Sequence, residues 1–183
     1  KLSGVNLDGV DLSNKDLTGS NLSGVDLSNK DLTGTILTFA KLSGVNLDGV
    51  DLSNKDLTRS NLSGVDLSNK NLTGTILTFA KLLGVNLDGV DLSNKDLTRS
   101  ILSGVDLSNK DLTGTILTFA DLSGANLDGV DLSNKNLTGT ILSGVDLSGV
   151  DLRNVDLTGT ILTGVDLSNK DLTGTILKDA KKI

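Results

Sequence analysis

The chain has 183 residues, with 23 acids, all of them Asp, against 17 Lys and Arg, a formal charge of -6 and a pI near 4.5. That balance disfavours a phosphate-binding surface, so no direct nucleic-acid partner is expected. The absence of Cys and His removes disulfides, thiol nucleophiles, zinc sites and the one side chain that titrates near neutrality.

No apolar run approaches the roughly 20 residues that span a bilayer, and no basic stretch followed by an apolar one opens the chain. A soluble protein without a membrane partner is expected, with the cytoplasm favoured although no residue fixes the compartment. The first residue, Lys1 rather than Met, suggests an excerpt of a longer protein.

From the first residues onward Leu stands at every fifth position, Leu2 to Leu177, without a miss. Blocks such as Val5-Asn6-Leu7-Asp8-Gly9 and Val10-Asp11-Leu12-Ser13-Asn14 repeat. A helix of 3.6 residues per turn would spread these leucines over all its sides. The fifth slot of each block holds all 21 Gly and otherwise mostly Asn, the residues that tolerate positive φ, so a turn is predicted every five residues. Short extended stretches separated by turns make a coil. Four blocks give a square coil of twenty residues, stacked on the next at about 4.8 Å.

Columns of twenty support the square, because stacked residues are alike. Val5, Val25, Val45, Val65, Val85 and Val105 form one column, and Thr18, Thr38, Thr58 and Thr78 begin another. About nine coils would follow, on the order of 43 Å in length, with the ends as the weak points.

Around the first coils, side one mixes Lys41 and Lys81 with Asn21 and Asn61. Sides two and three carry most of the acid: Asp26, Asp66, Asp106, Asp146 and Asp166, then Asp8, Asp48, Asp88 and Asp128, and an acidic ladder of Asp11, Asp31, Asp51, Asp91, Asp111, Asp131, Asp151 and Asp171. Like charges about 5 Å apart are expected to repel and raise carboxylate pKa values. Flat columns do not converge as calcium ligands must, so no metal is expected.

Side four departs from this pattern at residues 36 to 40, again at 76 to 80 and at 116 to 120, which defines a forty-residue superperiod. Its turn slot runs Phe39, Arg59, Phe79, Arg99, Phe119, with Ile36, Ile76 and Ile116 alternating with Asp16, Asp56 and Asp96. Arg stacked on Phe explains the alternation internally through cation–π contacts. A recognition or association stripe explains why the apolar groups stand on a surface at all. Residues 145 to 159 break the repeat, with Val150 and Val155 where Lys is usual and Arg153 where Ser or Thr is usual.

Blocks with Asp or Asn before a central Leu and Ser or Thr after it resemble the pentapeptide-repeat family, whose consensus is A-[DN]-L-x-x. The resemblance covers residues 1 to about 180. It implies an all-β fold: a right-handed quadrilateral parallel β-helix of about nine coils, here a single domain over residues 1–183, with the Leu and the residue two before it facing inward. That inward slot holds Lys15, Lys30, Lys55, Lys70, Lys95, Lys110, Lys135 and Lys170. Unpaired buried ammonium groups would cost several kcal/mol each. The Asn-Lys corners are therefore expected to open outward and place the amines at the surface.

Catalysis lacks its parts: Ser and Thr have no His or Cys beside them, and a closed solenoid offers no cleft to tune a base. No enzyme and no cofactor are expected. The expected function is a structural or protein-interaction scaffold that presents regular faces to a protein partner or to copies of itself, through the contact stripe Phe39, Arg59, Phe79, Arg99 and Phe119. The alternative, drawn from the family resemblance, is a DNA mimic that binds a type II topoisomerase through the acidic sides. A threonine rank that orders ice is a minor third reading, and the Asn-Leu-Ser/Thr sequons follow from the repeat alone.

Overall fold

A left-handed backbone conformation once in five residues sets the architecture. In the computed structural model, which describes residues 2–182, φ at the turn slot lies between 55 and 73° from Gly4 to Asp179, with Gly149 and Asn169 excepted. The residue after the slot donates its N–H to the Leu carbonyl three residues earlier, as Val25 does to Leu22 at 3.0 Å. One positive φ at the third position of such a turn is type II geometry.

The chain forms two units, Lys1–Asp91 and Leu92–Ile183, and each folds as a right-handed quadrilateral parallel β-helix. Within the first, parallel bridges run Asn21 to Lys41 to Asn61 to Lys81 at a twenty-residue step, and within the second Ile101 to Asp121 to Ile141 to Ile161 to Lys181. The bonds alternate in direction: Leu22 N–H donates to Lys41 O and Lys41 N–H to Ser20 O, both at 2.8 Å. Turns arrive so often that each side contributes isolated bridges rather than long strands.

Every central Leu from Leu7 to Leu162 is buried, and each such side chain stabilises by roughly 1.5–3 kcal/mol relative to exposure. The second inward slot is filled by Val25, Val45, Val65, Ala40 and Ala80 in the first unit, and by Val105, Ala125, Val145 and Ala120 in the second, all buried. Val150 and Val155, the departures from Lys, are also buried, so the irregular stretch is apolar inside. The outermost inward residues are less covered: Val5 and Val10 are each 43% exposed.

Part of the two-coil alternation is matched by a steric contact. A Cβ built on Gly34, Gly49 or Gly74 would overlap the Oδ1 of Asn14, Asn29 or Asn54 on the preceding coil, and Gly114 and Gly129 stand in the same relation to Asn94 and Asn109. Asn and Gly thus alternate coil by coil in these two columns up to Asn134 and Gly129, where Asn154 and Gly149 end the alternation. By contrast, Gly64 has nothing within 4 Å.

Two substitutions separate backbone strain from this steric demand. Gly64→Ala should cost only the left-handed penalty, roughly 1–2 kcal/mol, whereas Gly74→Ala should lower the urea midpoint further, and Asn54→Gly added to it should recover the difference. Equal midpoints for the two single variants would contradict the steric account.

Candidate interaction surface

The acidic columns are tied to the backbone. Ser13 N–H donates to Asp11 Oδ1 at 2.8 Å, Thr33 N–H to Asp31 at 2.8 Å and Ser53 N–H to Asp51 at 2.8 Å. In the second unit Thr113, Ser133, Arg153 and Thr173 do the same to Asp111, Asp131, Asp151 and Asp171. Asn makes an identical bond, for example Asp8 N–H to Asn6 Oδ1 at 2.8 Å, which explains why Asp and Asn interchange before the Leu. These are Asx turns, in which the side chain accepts from the backbone two residues on.

This bonding overturns the expectation of raised carboxylate pKa values. Hydrogen bonds from the side chain and backbone of Ser13 hold Asp11 below the ordinary 3.8, and those from Thr33 do so for Asp31 although Asp11 pushes the other way. Backbone and side-chain bonds from Ser28 and Ser68 likewise lower Asp26 and Asp66. Asp151 is lowered to about 2, first by its hydrogen bond from the Arg153 side chain, whose Nε lies 3.0 Å from both carboxylate oxygens. Bonding to the charged form outweighs repulsion along the column.

Among the inward-slot lysines Lys15 is exposed, and three others are neither stranded in the core nor extended into water. Lys30, Lys70 and Lys135 are half-buried, and each Nζ donates at 2.6 Å to a Leu carbonyl on the preceding coil: Leu7, Leu47 and Leu112. Threonines in the same slot use the same acceptor, with Thr35 Oγ1 to Leu12 O and Thr75 Oγ1 to Leu52 O at 2.8 Å. A carbonyl has two lone pairs, and Leu7 O also accepts the Val10 N–H at 2.9 Å. The outward-opening corner is corrected at these three positions, where the stem packs and the amine meets backbone at the rim. Among the described residues no buried side-chain nitrogen or oxygen lacks a partner.

Side four differs in kind. In the first unit the Arg59 guanidinium sits 5.3 Å from the Phe39 ring centroid and 4.7 Å from that of Phe79. In the second, Arg99 lies 5.2 Å from the Phe119 centroid. Phe39 and Phe119 remain 49% and 50% exposed, beside Ile36 and Ile116. All five stripe residues have φ between 58 and 60°, where a bulky side chain is unusual. The sequence placed these residues in turn slots, but the strain they carry follows from the φ values.

Around residues 145 to 170 the second unit is irregular at the turns that lack positive φ, Gly149 and Asn169. A hollow of about 360 Å³ opens there to solvent beside Asp146, Asp166 and Lys170, and Lys170 Nζ donates to Ser148 O at 2.8 Å. Among the described residues no group of three or more His, Cys, Asp or Glu is placed to hold a metal ion, and no helix is long and apolar enough to cross a membrane.

A four-sided β-helix with Asx-capped five-residue blocks defines a class of repeat solenoid. Models of pentapeptide repeats match residues 1–38, 16–54, 56–94, 96–134, 120–159, 131–169 and 140–179. The chain belongs to the pentapeptide-repeat family. Among solved structures it is similar to HetL, a pentapeptide repeat protein involved in heterocyst differentiation regulation from the cyanobacterium Nostoc sp. strain PCC 7120, at 30% identity over 95% of this chain and 90% of that one, with a TM-score of 0.41. It is also similar to a trypsin-treated variant of QnrB1, a plasmid-mediated fluoroquinolone resistance protein, at 21% identity over 94% and 84% of the two chains, with a TM-score of 0.57. Full-length QnrB1 gives 19% identity over 95% and 88%, with a TM-score of 0.52. No curated protein aligns significantly with the chain.

The Asx caps predict a direction for the pH dependence. Carboxylates held below 3.8 in the folded state add stability that is complete above the unfolded value and is lost as pH falls through the folded values. The melting temperature followed by circular dichroism should be nearly level from pH 7 to about pH 5 and fall steadily below about pH 4. A rise on acidification would mean that repulsion dominates the ladder.

Proposed function

We propose that the protein is a non-enzymatic interaction scaffold whose contact stripe is Phe39, Arg59 and Phe79 on the first unit and Arg99 and Phe119 on the second. One observation carries this reading: exposed aromatic side chains occupy left-handed turn slots that Gly and Asn fill elsewhere. The conformation costs roughly 1–2 kcal/mol per residue, and an exposed cation–π contact returns about 0.5–1 kcal/mol. Internal stacking therefore does not account for the stripe, whereas contact with another surface does. Strain that persists on a surface points to use. The partner on this reading is a protein, not a nucleic acid or a membrane.

The ionised ladders favour a second reading, a DNA mimic that meets a topoisomerase through Asp11, Asp31 and Asp51 and their counterparts in the second unit. Their role as backbone caps already explains the columns, so this reading ranks below the stripe. Gyrase supercoiling with and without micromolar protein tests it, and an unaffected reaction removes it.

The stripe reading makes a sharper demand. Phe39→Gly, Phe79→Gly and Phe119→Gly together relieve the strain, so the triple variant should keep its circular-dichroism spectrum and a urea midpoint at or above that of the wild type. It should lose partner capture or concentration-dependent sedimentation. Unchanged capture and unchanged sedimentation would remove the stripe from the function.

A further inference from the structure

Side four of the first unit carries two kinds of rung in alternation. One has Ile36 at its first edge and Phe39 at its last, both exposed, and the rung above has an exposed Ile76 and a half-buried Phe79 at the same places. The rung between has Asp56 at the first edge and Arg59 at the last, with Thr58 between them. Asp56 Oδ1 accepts the Thr58 N–H at 2.9 Å, which fixes the carboxylate at that edge, and the rings of Phe39 and Phe79 fix the guanidinium at the other. Opposite charges thus stand at opposite ends of one rung, with apolar pairs directly above and below.

That arrangement is complementary to itself. We propose that this face binds a second copy of the chain about a two-fold axis lying in the interface and parallel to the direction in which the coils stack. Such an axis reverses each rung and keeps its level. Asp56 then meets the partner's Arg59 and Arg59 the partner's Asp56, while Ile36 meets the partner's Phe39 and Ile76 the partner's Phe79. An axis along the charged rung instead sets Asp56 against the partner's Asp56, and one midway between rungs sets it against the partner's Ile36 or Ile76, so either antiparallel arrangement is disfavoured. Two-fold contacts of this kind use the same patch on both copies. The second unit repeats the motif in Asp96, Arg99, Ile116 and Phe119.

The proposal rests on the stripe reading and names its partner. The patch spans only a few rungs at about 4.8 Å spacing, less than the roughly 800 Å² per partner of a standard interface, so the dimer is weak and concentration-dependent.

Sedimentation velocity from micromolar to millimolar protein tests it, together with cysteine crosslinking, for which the chain supplies no background cysteine. Thr38, Thr58 and Thr78 all stand on the proposed axis, so Thr38→Cys, Thr58→Cys and Thr78→Cys should each link to their own copy on oxidation. Asp56→Asn with Asp96→Asn keeps the backbone cap, as Asn46 does for the Asp48 N–H at 3.0 Å, and should weaken association by about tenfold at low salt. A wild type that stays monomeric at millimolar concentration, or crosslinking at only one of the three threonine positions, overturns the parallel dimer. If capture of another protein still depends on the three phenylalanines in that case, the stripe reading survives. If the triple Phe→Gly variant changes neither sedimentation nor capture, both fall.

Discussion

A chain that must turn left-handed once in every five residues has little freedom left at the turn. Only Gly and Asn take that conformation cheaply, and the next coil lies so close above that the Oδ1 of Asn14 occupies the space a Cβ on Gly34 would need. Asn and Gly alternate from coil to coil in two columns up to Asn134, and the alternation is matched inside. Asn29 precedes Lys30 while Gly49 precedes Val50, and Asn54 precedes Lys55 while Gly74 precedes Thr75. In these two columns two coils, not one, form the repeating unit, and a contact between an amide oxygen and a missing methyl accompanies it.

The second requirement of so tight a coil is that polar atoms at its corners find partners without long strands to supply them. Four side-chain types meet it in two ways. Asp and Asn accept the N–H two residues on, Thr35 and Thr75 donate to a carbonyl of the preceding coil, and Lys30 and Lys70 do the same from a longer stem. This changes the meaning of the charge. An acidic ladder resembles a binding feature when read as net charge, yet its carboxylates are held ionised by bonds that shape the turn. The lysines answer the acid column electrostatically while serving the backbone with the same amine.

Much of this was legible in the sequence because a period of five with columns of twenty leaves few ways to bury Leu. The square coil, the Leu floor and the turn slot all follow from the spacing of Leu2 to Leu177 and from where Gly falls. What the spacing could not convey was direction. Nothing in a string of residues distinguishes Asp11 repelling Asp31 from Asp11 capping Ser13, and nothing places the amine of Lys30 at Leu7 O rather than in water. Those outcomes depend on hydrogen bonds formed within five residues or across a coil boundary, at distances that periodicity does not encode. The irregularity at residues 145 to 159 was visible, but its backbone consequence falls at Gly149 and Asn169, one turn inside and one beyond that stretch.

Side four is where the packing rules and the surface chemistry separate. The Asn–Gly rule is met at its turn slot only beyond the stripe, where the Phe119 ring occupies the space a Cβ on Gly139 would need. Between Phe39 and Phe79 the intervening slot is Arg59, whose long side chain carries its bulk to the ring faces instead of under them. Two-coil alternation is thus kept by a different pair of residues, one that costs strain and exposure where Asn and Gly would cost neither. Since a cheaper solution to the same geometric problem is used on two other sides of the same coils, geometry does not select Phe and Arg here. On the scaffold reading proposed above, the selecting force acts from outside the coil, on a partner surface that these long side chains are placed to reach.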